Sequence, residues 1–129
     1  MLSALKIPLL TFCILLTCCE RIETGEAFTA HVGDKFKIRS NLSFSVDSIN
    51  DYRCPAQYMC IWGGDVKMIC TFHKSFSRVD TAIYLNDRTK NPVILGGYSI
   101  RLLSVDPQSQ TGERIPQKDY KLEIVIDKD

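Results

Sequence analysis

The sequence is short of the groups that usually carry chemistry. Its 129 residues include two histidines, His31 and His73, and one tryptophan, Trp62. The G-x-S-x-G, H-E-x-x-H, P-loop and dinucleotide fingerprints are absent, so the enzyme classes they mark find no support. Charge of one sign is also missing. Sixteen basic residues face fifteen acidic ones, a net charge of +1, which gives no electrostatic reason to expect a nucleic-acid partner. No apolar run reaches the roughly 20 residues a membrane-spanning helix needs. After the first eighteen residues no apolar stripe recurs at i, i+3, i+4, i+7, so a helical bundle is excluded as well. With 45% apolar and 24% charged residues, the composition is that of one ordinary globular domain.

What is present begins at the N-terminus. Lys6 precedes a continuous apolar run from Ile7 to Thr17, and Glu20, Arg21 and Glu23 end it abruptly. One cation, a short apolar segment and then small residues form the pattern of a cleaved export signal, expected here over residues 1–18. Leu15-Leu16-Thr17-Cys18-Cys19 resembles the lipobox of bacterial lipoproteins. That resemblance implies a diacylglycerol on the cysteine after the cut: Cys19, or alternatively Cys18. Acyl chains contribute about 0.8 kcal/mol per buried methylene, and a multiply acylated terminus holds a domain stably to a bilayer. Cleavage before Cys19 removes Lys6 alone among the charged residues, which leaves 111 residues and no net charge. Residues 19–26, CERIETGE, are polar and lack periodicity. They read as a tether.

From residue 27 onward the pattern has a period of two. Lys35-Phe36-Lys37-Ile38-Arg39 alternates strictly. Leu42/Phe44/Val46, Val66/Met68/Cys70/Phe72, Val79/Thr81/Ile83/Leu85, Tyr98/Ile100/Leu102 and Tyr120/Leu122/Ile124/Ile126 form further rows. Such rows mark strands with one dry and one wet face. A weaker strand around Phe28 and Ala30 opens the domain. Gly33-Asp34, Asn86-Asp87, Asn91-Pro92, Gly96-Gly97 and Asp106-Pro107 fall between the rows, where turn residues belong. About seven short strands at these intervals predict an all-β domain over 27–129. An antiparallel β-sandwich is expected, with a small β-barrel as the alternative. The polar stretch from Pro107 to Gln117 reads as a surface loop.

One segment breaks the pattern: Asp51-Tyr52-Arg53-Cys54-Pro55-Ala56-Gln57-Tyr58-Met59-Cys60-Ile61-Trp62-Gly63-Gly64. In an exported chain a disulfide between Cys54 and Cys60 is the default for so close a pair. A metal site drawing on Cys54, Cys60, Cys70 and His73 lacks the close ligand pairs that zinc favours. Cys70 and His73, three apart on a strand, also point to opposite faces. Cys70 instead aligns with Met68 and Phe72 as a small core residue. No metal and no cofactor are expected. Trp62 has two readings: it caps one end of the core, or it joins Tyr58, Met59 and Ile61 in an apolar tip on a rigid loop, suited to recognition.

Arg53-Cys54-Pro55 followed by Cys60-Ile61-Trp62-Gly63-Gly64 resembles a segment of small bacterial lipoproteins of unknown function. The resemblance implies a β-rich domain in the cell envelope, held to the membrane through its N-terminal lipid, and it implies no activity. The expectation is a binding or structural module whose partner is an envelope protein or glycan, with no catalytic residue. Two alternatives remain open: a small envelope hydrolase, and a protease inhibitor presenting the Cys54–Cys60 loop. A cleft holding two close carboxylates, or His31 with an acid, would favour the hydrolase.

Overall fold

Alternation in the sequence becomes alternation in burial. In a computed structural model, which describes residues 20–129, Lys35–Arg39 forms a strand that buries Phe36 and Ile38 and leaves Lys35 and Lys37 in water. Lys121–Lys128 buries Leu122, Ile124 and Ile126 in the same way. The expected signal segment and the lipidation residues Cys18 and Cys19 lie outside the described residues.

Among the described residues nine strands follow in chain order: β1 Glu20–Arg21, β2 Ala27–Ala30, β3 Lys35–Arg39, β4 Leu42–Asp51, β5 Val66–Lys74, β6 Ser77–Tyr84, β7 Val93–Leu95, β8 Tyr98–Asp106 and β9 Lys121–Lys128. They form two sheets ordered β1-β3-β4-β5-β6 and β2-β9-β8-β7. All pairings are antiparallel except the two-residue parallel contact of β1 with β3. The sheets do not close into a barrel, so the domain is a β-sandwich.

The core is built from facing rows. Phe36, Phe44 and Phe72 lie opposite one another on β3, β4 and β5, with ring centroids 5.3 and 5.6 Å apart. Phe28 of the other sheet closes on Phe36 at 4.9 Å. Such ring pairs add about 0.5–1.5 kcal/mol each beyond the area they bury. Ile100, Leu102, Leu122, Ile124 and Ile126 fill the second sheet's inner face. Cys70 packs among them as expected, fully buried and free. Burial first, then the Asp47 and Asp80 charges, push its thiol up to about 12.

Three features depart from the sequence expectation. In the segment read as a tether, Glu20–Arg21 pairs with Phe36–Lys37, Ile22 is buried, and the Gly25 amide donates to the Ile126 carbonyl. A single apolar residue, Ile22, supplies that docking, too little to register as periodicity. Strand β4 runs on to Asp51 past a bulge between Val46 and Ser48, which interrupts the period of two. In the row on β6 only Ile83 is buried, and Val79 is exposed. β6 is the edge strand of a five-stranded sheet, and the second sheet has only four strands with which to cover it.

Candidate functional site

The β4–β5 connection, residues 52–65, carries the cysteine motif, and its stem is braced on both sides. At the β4 end the Arg53 fork grips Asp51, with Nε to Oδ1 at 2.9 Å and Nη2 to Oδ2 at 2.8 Å. The same guanidinium donates to the carbonyls of Val105 and Pro107. The Tyr120 hydroxyl donates to Asp51 Oδ2 at 3.0 Å. At the β5 end the buried Asp65 accepts from the amides of Val66 and Asn86 and from the Asn86 side chain. Gly64 has φ +62°, and a Cβ there would stand 2.5 Å from the Tyr52 carbonyl oxygen. Only glycine fits so close a backbone approach.

These contacts displace several titrations. Burial raises the Asp51 pKa, but hydrogen bonds from Arg53 and Tyr120, with the Arg53 charge, outweigh it and hold the carboxyl below its ordinary value. The Arg53 guanidinium is raised in return, chiefly by its hydrogen bond to Asp51. Tyr120 is pushed up to about 12 by burial and then by the Asp51 carboxylate it serves.

Cys54 and Cys60 form the expected disulfide, six apart in sequence with Cα atoms 5.9 Å apart. The closed loop leans on the Pro107–Gln117 connection: Ala56 N–H donates to Ser109 O, Gln57 N–H to Gln110 O, and Gln108 Nε2 to Cys54 O. The four tip residues are left in solvent. Met59 and Ile61 are fully exposed, Tyr58 is exposed, and Trp62 is 67% exposed. Trp62 therefore does not cap the core. Tyr52, which sequence reasoning passed over, adds a further exposed aromatic ring on the same connection.

Beside the stem lies a polar cleft of about 350 Å³, lined among others by Asp51, Arg53, Glu113, Arg114 and Tyr120. The Gln117 side chain, also on its wall, exchanges two hydrogen bonds with the Ile49 backbone as a strand edge would. Asp51 and Arg53 are consumed by each other and by their braces, which makes them a latch. Glu113 is held down to about 2, first by the Thr111 hydroxyl and then by backbone amides.

The residues weighed for catalysis lie apart from this cleft. His31 does stand by an acid, its Nδ1 3.6 Å from Asp34 Oδ2 on an exposed turn, but neither residue lines the cleft. Asp47 and Asp80 both contact the Thr71 hydroxyl, which lies between their strands on β5. An acid–base pair needs one carboxyl raised and kept protonated. The carboxyls whose titration is displaced, Asp51, Asp80, Asp87 and Glu113, all move down. Cys54 and Cys60 are joined to each other and Cys70 is buried, so the four-ligand metal set does not assemble. Among the described residues no cluster of three or more His, Cys, Asp or Glu side chains is placed to hold a metal ion.

Compared with protein-family models, curated proteins and solved structures, the chain matches none. What the sandwich and its loop define is a class of architecture: a β-sandwich that displays exposed apolar residues on and just after a disulfide-closed loop.

Proposed function

We propose that this protein is a lipid-anchored binding module of the bacterial cell envelope whose recognition element is the Cys54–Cys60 loop and its exit. One observation carries the reading. Tyr58, Met59, Ile61 and Trp62 are exposed together on a segment that the disulfide and the Arg53–Asp51 latch hold in place. Isolated exposed apolar side chains are ordinary on a protein surface, but a cluster of large ones at a tip marks an interaction site. Ordering the loop in advance lowers the entropic cost of binding, and tryptophan and tyrosine are among the residues enriched at hot spots. The partner is an envelope protein offering an apolar pocket. The lipid anchor, supported by the Leu-x-x-Cys pattern before Cys19, confines the domain to a membrane surface and raises its local concentration there.

Capture from envelope extract tests the reading, using wild type, Trp62→Ala and a Lys74→Ala control at the exposed far end of β5. A protein retained by wild type and Lys74→Ala but lost with Trp62→Ala is the expected result. Identical retention by all three overturns the assignment of the loop. The intact mass of the mature protein tests the anchor separately: a diacylglyceryl adduct on Cys19 or Cys18 is expected, and an unmodified N-terminus refutes it.

A further inference from the structure

At the opposite end of the sandwich from the cysteine loop, β3 contains a bulge that alternation conceals. Phe36 pairs with Phe44 and Lys37 with Ser43, but the next pair is Arg39 with Leu42. Unbroken alternation would place Ile38 opposite Leu42 and send Arg39 outward. The extra residue instead puts Arg39 level with a buried leucine, on the core side of the sheet, and bulges re-aim side chains in this way. The guanidinium carbon then lies over the Tyr98 ring, 5.8 Å from its centroid. The Arg39 Nε is buried and has no hydrogen-bond partner among the described residues, while the residue as a whole is only half-buried. A guanidinium so incompletely paired keeps donors for a partner in the adjoining space.

The surroundings say what that partner is. Arg39 lines a surface cavity of about 750 Å³ together with Arg21, Lys128, Tyr98 and a single acid, Glu23. None of the three cations is in an ion pair with a described residue, and neither is Glu23. We infer that Arg39, Arg21 and Lys128 form a binding site for a phosphate-bearing anion, with Arg39 as the fixed donor fork and the other two as flexible charges. A guanidinium braced on an aromatic ring suits the geometry of a phosphate, and two further cations offset its charge. The phosphate comes either from a free anion or from a lipid headgroup. The site is independent of the cysteine loop and of the reading built on it.

Calorimetry of the full chain in neutral detergent, at constant ionic strength, tests the site with two probes. One is inorganic phosphate and the other is monomeric dihexanoyl phosphatidylglycerol. Saturable binding of either is expected, weakened about tenfold by Arg39→Gln, as loss of a charge-assisted fork implies, and unchanged by Arg88→Gln. Binding of both probes identifies phosphate chemistry alone, and binding of the lipid alone identifies a headgroup. Should Arg39→Gln fail to fold, Arg21→Gln and Lys128→Gln, both at exposed positions, carry the same comparison. No saturable heat from either probe, or equal weakening by Arg88→Gln, overturns the proposal.

Discussion

Arg53 holds Asp51, two residues before it, through paired contacts of 2.9 and 2.8 Å, and both side chains are almost fully sheltered from water. The pair stands where β4 ends and the cysteine loop begins. One guanidinium thus joins the loop stem to the carbonyls of Val105 and Pro107, which lead into the loop that supports the tip. Removing one member of a sheltered ion pair leaves the other charge uncompensated, at a cost of about 3 kcal/mol or more. Arg53→Met is expected to lower unfolding stability by about that amount in urea titration. Asp51→Asn is expected to cost less, because it still accepts a hydrogen bond.

The same latch gives a pH signature at each end of the scale. The Asp51 pKa is lower in the folded state than its unfolded value near 3.8. Its stabilisation is therefore complete above that value and fades as pH falls through the lower folded pKa. Tyr120 runs the other way: its folded pKa is raised from 10.0 to about 12. Folding favours its neutral form, so this contribution is complete below pH 10.0 and is lost as pH climbs towards about 12. Urea midpoints across pH should show both losses, with the acid limb reduced in Asp51→Asn and the alkaline limb reduced in Tyr120→Phe.

Neighbouring glycines at the loop exit should behave differently. Gly64→Ala drives a methyl against the Tyr52 carbonyl at a positive φ, and is expected to cost about 2 kcal/mol or more. Nothing lies within 4 Å of a Cβ built on Gly63. Gly63→Ala should be close to neutral, and thermal melts of the two variants compare them directly.

Replacing Cys54 and Cys60 together by serine removes a crosslink over a short loop. The chain-entropy account gives about 2 kcal/mol for that, and the loss should appear as a lower melting midpoint. Trp62→Ala, by contrast, should leave the unfolding stability within about 0.5 kcal/mol of wild type, as an exposed side chain implies. Tryptophan emission of the wild type should be red-shifted and readily quenched by iodide.

The fold was legible where side-chain alternation was unbroken. Phe36 and Ile38, Met68 and Phe72, and Leu122 to Ile126 announce their strands because each sits with one face in the core. Legibility failed where local geometry depends on a distant partner. Strand β1 exists only because β3 offers an edge, and the second half of β4 follows a bulge. The disulfide was readable from spacing, and the apolar tip was readable as one of two alternatives. The Asp51–Arg53–Tyr120 latch was not, because Tyr120 is remote in sequence from the pair it completes. Nor was the Arg39 cavity, since an arginine closing a K-F-K-I-R run looks like an ordinary solvated residue until the bulge is placed.

The central claim is that the exposed tip touches a partner in the envelope. Site-specific photo-crosslinking in intact cells tests it most directly, with the reactive group introduced in turn at Trp62, Ile61 and Lys74, the last at the far end of β5. A discrete adduct from positions 62 and 61, absent from position 74 and lost when Cys54 and Cys60 are replaced by serine, is the result predicted. No adduct from the tip, or the same adduct from all three positions, would contradict it.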